Sequence, residues 1–318
     1  MAMPTNTFAT YEAIGNREDL SDMIYRISPT DTPFLSGAET EKATAVNHEW
    51  QTQALAAASG SNAQLEGTDF AAVAAVPTVR LGNIAQISAK FPAVTGTQMA
   101  VEHAGRDNEM AYQEMLKGLE LKRDMETTLV GTNQAKNTGN DSTARNLGSI
   151  LSWLYTNTVM GSGGAGPSAA TGAYTRTDGS QAPFTEASLK TVLSSAWTNG
   201  GKPDLIMTGA FNKQIFSTFT GRATPIEDTK SKKIVASVDA YESDFGKLKV
   251  VANRFQRSRD VFALEIDKWA VAYLNGRKFV SIPIAPTGDS IKREILSEYT
   301  LVARNEMSSG AVYDNTTS

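Results

Sequence analysis

The sequence predicts an α+β protein. Its helices and strands come in groups rather than in strict alternation. A helical period runs through residues 98–133, and β-branched and aromatic runs crowd residues 247–303. A third observation is an extended stretch at 47–88 whose two ends alternate like strands but whose middle is too small and polar to build a core.

The bulk numbers set the frame. At 318 residues the chain is long for one core and suggests two or more lobes. A hydrophobic fraction of 41% and a charged fraction of 20% are ordinary for a globular protein. The formal net charge of −4 argues against a generic nucleic-acid binder. With no cysteine, disulfide frameworks, thiolate nucleophiles, zinc ribbons and iron–sulfur sites drop out. The first residues lack a basic segment followed by an apolar one, and no apolar run is long enough to cross a bilayer, so neither secretion nor a membrane partner is expected. No repeat of solenoid length is present.

In chain order, Asn16 caps a first helix with Glu18 and Asp19 in its opening turn and Leu20, Met23, Ile24 and Ile27 on one face. The segment SPTDTPFLSG stops it, because proline and its predecessor favour extended backbone. Val46, His48, Trp50 and Thr52 then alternate with polar residues, and Val79, Leu81, Ala85, Ile87 and Ala89 make the return limb of a long hairpin with an irregular tip. From Gln98 to Asn133 one long helix is expected, with Ala104, Ala111, Met115, Leu119 and Leu129 along its apolar face. Residues 161–172, GSGGAGPSAATG, read as a flexible surface loop; no Gly-Lys-Ser/Thr follows, so they are not a phosphate cradle. Thr185 caps a helix striped by Leu189, Val192, Leu193 and Trp197 and closed by Gly200–Gly201. Leu205–Met207 is a short strand, and Ala210–Phe219 a second helix with Phe211, Ile215 and Phe219 on one side. Strand runs fill the rest, with Asn275–Gly276 predicting a tight hairpin between two of them.

No catalytic, cofactor-binding or metal site declares itself. The two histidines, His48 and His103, have no second ligand at metal-binding spacing. There is no G-x-S-x-G elbow, and carboxylate pairs such as Glu18–Asp19 and Glu39–Glu41 read as surface charge. The cluster Lys247, Lys249, Arg254, Arg257 and Arg259 reads first as a solvated face. Its three arginines are candidates for contact with DNA phosphates or with a neighbour's carboxylates. No enzyme is expected.

A two-stranded ribbon has no interior and is marginal alone in water. The hairpin at 46–90 and the arm before it therefore need burial from elsewhere, and sister copies are the simplest source. Trp50, Leu65, Phe70 and Val79 in the hairpin, and Leu20, Ile24 and Phe34 in the arm, are the expected inter-subunit contacts.

The arm NREDLSDMIYRISPTDTPFLSG, the long extended loop, the long helix, the segment AWTNGGKPDLIMTGAFNKQIFS and the closing strand EYTLVARNE together resemble the major capsid (head) proteins of tailed bacteriophages, podovirus-type. The resemblance spans nearly the whole chain in order. It implies the Hong Kong phage-type capsid fold: an N-arm at 1–45, an E-loop at 46–90, a spine helix with part of the peripheral domain at 91–146, an axial domain at 147–284 and C-terminal peripheral-domain strands at 285–318. It further implies pentamers and hexamers of the chain tiling an icosahedral head around double-stranded DNA, a portal protein, a decoration protein, and assembly in the host bacterial cytoplasm. Some relatives weld their shells through an E-loop lysine. No lysine lies between Lys42 and Lys90 here, so a non-covalent shell is expected. No long scaffolding extension precedes the arm, which points to a separate scaffold protein. Alternatives are an encapsulin-type compartment shell, a neck or tail-tube protein, and an enzyme with an unrecognised triad.

Overall fold

The computed structural model describes residues 31–67, 69, 74–102, 107–219 and 240–318. The helix expected at 16–27, with Leu20 and Ile24, lies outside them, as do Phe70 and His103.

The described arm enters through α1 (Pro33–Gly37), whose proline suits a first helical turn. It continues as β1 (Glu39–Ala43) and β2 (Asn47–Thr52). After the excursion come β3 (Val79–Ile84), β4 (Gln86–Lys90) and β5 (Ala93–Thr95). The expected long helix is two: α2 (Gly96–Ala100) and α3 (Glu109–Glu126). Val101 is extended at ψ 140°. Asn108 starts a fresh helix, its side-chain oxygen accepting from the Ala111 amide at 3.0 Å. A π-turn over Thr127–Gly131 ends the spine.

The apolar face of α3 also differs from expectation. Ala111 and Met115 are exposed, while Met110, Leu121 and Met125 are buried. The inward face carries polar residues that find partners on the sheet beneath: Glu114 takes an ion pair from Arg293 at 2.7 Å and a hydrogen bond from Ser281 at 2.5 Å. Burial opposes ionisation of Glu114, but those hydrogen bonds and the Arg293 charge outweigh it and hold its carboxyl below the usual range.

The remaining elements are β6 (Thr158–Val159), α4 (Glu186–Thr198), β7 (Leu205–Thr208), α5 (Ala210–Phe216), β8 (Ala240–Ser243), β9 (Gly246–Ala252), β10 (Val261–Leu264), β11 (Trp269–Leu274), β12 (Val280–Ile284), β13 (Ser290–Ala303) and β14 (Gly310–Val312). The buried stripe of α4 is Leu189, Val192, Leu193 and Ala196; Trp197 lies outside and stacks on Phe245 at 5.4 Å. On α5 the fully buried residues are Phe216 and Asn212, while the expected Ile215 and, just past the helix, Phe219 pack half-buried against the same core.

Two six-stranded sheets carry the chain. In the first, β13 is the spine of the pairing. Tyr299 faces Tyr273 of β11 and Gln86 of β4, while Ile295 faces Ser281 of β12 and Lys90 of β4. Thus β11 and β12 run end to end along one edge of β13, and β4 with β5 along the other. The expected Asn275–Gly276 hairpin is not formed. From Tyr273 to Val280 the chain takes seven steps against three on β13, so four residues bulge out. Gly276 at φ 74° and Phe279 at φ 49° turn this bulge. The local turn signal is real, but β13 has 14 residues and offers both runs a better partner than each other.

The second sheet has the order β6-β14-β10-β7-β9-β8, with α4 against β14 and β6 and α5 against β9. Between the sheets Phe34, Leu121, Met125, Trp153, Phe262, Trp269 and Tyr299 form the main core. The segment 285–318 serves both sheets, β13 in the first and β14 in the second, and a boundary at 284 separates the paired strands β12 and β13.

One buried carboxylate joins these parts. Glu126 accepts from the amides of Phe34 at 2.9 Å and Leu35 at 2.8 Å, and from the side-chain amide of Asn253 at 2.6 Å. Burial pushes its pKa up despite those three donors. Phe34, expected on a neighbouring copy, is fully buried in the chain's own core, because this capping seats α1 against the spine.

Glu126→Ala leaves the buried Phe34 amide and the half-buried Leu35 amide without their acceptor, and the Asn253 side-chain amide with only the Met207 sulfur. Denaturant unfolding is expected to show a loss of about 3 kcal/mol. Glu126→Gln, which keeps one acceptor oxygen, should recover part of that loss.

Candidate assembly surfaces

The excursion is a two-stranded ribbon, β2 antiparallel to β3, from Asn47↔Ile84 to Thr52↔Val79. Its root is tied down by Asn83, which is fully buried. The Asn83 side chain donates to the carbonyls of Gly148 at 3.0 Å and Leu301 at 2.8 Å, and accepts from the Gly148 amide at 2.8 Å. Lys136 adds a second tie, donating to the Gly82 carbonyl at 2.6 Å with its ammonium 5.9 Å from the Trp153 ring. Burial pulls the Lys136 pKa down, with the Glu49 carboxylate opposing. Trp50 leans inward and packs on Trp153, ring centroids 5.3 Å apart.

Beyond the root the ribbon loses its own support. Gln53 donates to the Val76 carbonyl at 3.0 Å, and Thr78 to the Gln51 side chain at 2.8 Å. Past these, Leu55 is 96% exposed, Leu65 80% and Val76 69%, and at the rim Val79 is 58% exposed. Of the expected ribbon contacts, Leu65 and Val79 stand in the open and Trp50 is half-buried on its own chain. Leu55 and Val76 were missed. For Leu55 the cue was its isolation as a large apolar residue in a run of small ones.

The basic cluster divides. Arg254 is exposed. Arg257 and Arg259, expected to meet DNA or a neighbour, are instead engaged inside their own chain. Arg257 lies 2.5 Å from Asp178, and Arg259 lies 2.9 Å from Asp314. Three-dimensional pairing supplied carboxylates that the local sequence did not show. The glycine-rich segment at 161–172 is likewise bound: Ala165 and Thr177 form a β-bridge, and the Ser180 amide donates to the Ser162 carbonyl at 2.9 Å.

Among the described residues no group of three metal-ligating side chains converges, and no helix is long and apolar enough to cross a membrane. His48 sits 3.5 Å from Glu41, which also pairs with Arg304. What the described surface offers is exposed apolar contact area at the ribbon tip.

A family model described as SU10 major capsid protein matches residues 3–316. The major capsid protein of Escherichia phage Phieco32 is 28% identical over 349 residues, covering 98% of each chain. Two solved assemblies share the fold at 12% identity. The Cyanophage A-1(L) capsid asymmetric unit has a TM-score of 0.65, over 98% of this chain and 99% of that one. The phage G structure of gp27 major capsid proteins and gp26 decoration proteins has a TM-score of 0.55, over 99% and 100%.

Asn83→Ala removes the central tie of the ribbon root. It is expected to cost about 2–3 kcal/mol, since partners at Gly148 and Leu301 stay buried and unpaired. Hydrogen exchange should speed up across residues 47–52 and 79–84 while that of β10 is unchanged.

Proposed function

The chain belongs to the SU10 major capsid protein family, and from that premise we propose that its copies close into pentamers and hexamers around packaged double-stranded DNA. It is a phage major capsid protein of the Hong Kong phage-type fold, it forms the capsid shell, and its place is the virion. The encapsulin-type alternative is not favoured by this family.

The observation that carries the proposed mechanism is the ribbon's exposed apolar tip. Leu55, Leu65 and Val76 have little cover from the described residues of their own chain. In a shell the same side chains gain cover from a sister copy, and each fully buried large aliphatic contributes about 1.5–3 kcal/mol. A heterologous contact of this kind closes rings when the rotation between copies allows. The tip carries Glu66 and Asp69 and, from Lys42 to Arg80, no arginine or lysine. The shell is therefore held without a lysine weld from the E-loop.

The chain's role is structural, without catalysis, as befits a capsid family. A separate scaffold protein, a portal protein and a decoration protein complete the proposed set of partners; the phage G relative is seen with decoration proteins. Arg254, exposed just after β9, is the arginine of the basic cluster left to meet DNA or a neighbour.

The combined variant Leu55→Asp, Leu65→Asp and Val76→Asp is expected to stop shell formation, read as loss of the fast-sedimenting particle. The stability of the unassembled chain should change by less than about 0.5 kcal/mol per site, because these positions are exposed. Shells formed at wild-type yield would refute the role of the tip. Boiled particles on a denaturing gel should run as single chains, and a ladder of linked chains would contradict the non-covalent shell.

A further inference from the structure

The described residues hold one dense knot of buried charge, where three segments meet. Arg176 and Asp178 come from the loop before α4, Arg257, Arg259 and Asp260 from the approach to β10, and Tyr313 and Asp314 from the chain just after β14. Arg176, Asp260 and Asp314 have fully buried side chains. Arg176 pairs with Asp178, lies 2.8 Å from Asp314, and has its guanidinium 4.2 Å from the Tyr313 ring centre. Arg257 and Arg259 reach Asp178 at 2.5 and 3.3 Å, and Arg259 reaches Asp314 at 2.9 Å. Glu306 is the further carboxylate whose charge reaches Tyr313. Three guanidinium groups thus face the carboxylates of Asp178, Asp260 and Asp314.

The three carboxylates are not equivalent. Asp178 and Asp314 take every close arginine contact. Asp260 has Arg257 at 3.5 Å and Arg176 at 3.8 Å, and neither of its oxygens accepts a hydrogen bond from the described residues. The Tyr313 hydroxyl is also buried without a protein partner. Asp260 is therefore the carboxylate that can take a proton without giving up a contact shorter than 3.5 Å. The excess positive charge would then fall on Arg257 and Arg259, whose side chains are 16% and 20% exposed and so reach solvent.

We propose that this knot is a proton-operated latch on the carboxyl-terminal segment, with Asp260 as the group that titrates. The segment it holds is threaded between the other two: the Ala182 amide donates to the Asp314 carbonyl at 2.8 Å, and the Asn315 amide to the Arg259 carbonyl at 2.9 Å. With Asp260 neutral, the segment is clamped by Asp178 and Asp314 alone. With Asp260 ionised, a buried charge without a hydrogen bond sits beneath the clamp, and the closed form is less favoured.

The direction of the pH effect follows from the site. Burial pushes the Asp260 pKa up to about 6 from 3.8; the charges of Arg257 and Arg176 oppose the rise, and those of Asp178 and Asp314 add to it. A carboxyl with a raised folded-state pKa contributes its stability fully below its unfolded value and loses it as pH rises through the folded value. The latch is tightest near pH 4 and slackens through pH 6.

The test compares unfolding of the wild-type chain and Asp260→Asn between pH 4 and 7.5. The ratio of the wild-type folding constant to that of the variant is expected to fall by about a hundredfold, the consequence of a shift of about two pH units. A fall of tenfold or more supports the latch, and a smaller change overturns it. A readout on the unaltered chain keeps the question open to refutation if the variant does not fold. With aspartate carboxyl carbons labelled, one resonance should titrate with a midpoint near 6, and midpoints all below about 5 would overturn the proposal.

Discussion

Backbone pairing along β13 is the constraint on which this molecule depends. Fourteen residues of one strand serve β11 and β12 on one side and β4 and β5 on the other, while the spine helix α3 lies against the sheet they form. The two flanking rows are interrupted in different ways. At Phe91–Pro92 the break keeps register, so Lys90 and Ala93 face Ile295 and Lys292; an edge row tolerates the missing proline N–H. Between β11 and β12 the break adds four residues, and the Glu298 amide steadies the bulge by donating to the Arg277 carbonyl at 3.0 Å. Arg277 and Arg145 both pair with the buried Glu298 carboxylate, tying the bulge to the 137–146 loop.

The ribbon has no such backing. Its root borrows order from Asn83, Lys136 and Trp153, and its tip stands exposed among the described residues. In the proposed shell this division is useful: a fixed root sets the direction of the ribbon, and the exposed tip would make its last contacts between copies. On that proposal, burial withheld from the monomer is left for the contact between copies.

Local chemistry was legible in the sequence, and long-range chemistry was not. Thr185 as a cap, the helix after it and the strand at Leu205–Met207 follow from short patterns, and the structure keeps them, the strand running one residue further to Thr208. The capsid family was legible too, through the order of segments along the chain. The inward face of α3 was hidden because Glu114 looks like a surface residue until Arg293, 179 positions away, is placed beneath it. Arg257 and Arg259 looked like an open basic patch because Asp178 and Asp314 lie far along the chain. Only the adjacent Arg259–Asp260 pair hinted at internal pairing. Phe34 looked detached because the carboxylate that seats its turn is 92 positions downstream.

That carboxylate also decides how force would travel. Glu126 holds the first turn of α1, the end of α3 and Asn253 at the end of β9 in one junction. Tension arriving from the residues before position 31 would thus bypass the outer loops and enter where spine and second sheet meet. The arm is anchored like a cable to the keel rather than to the railing.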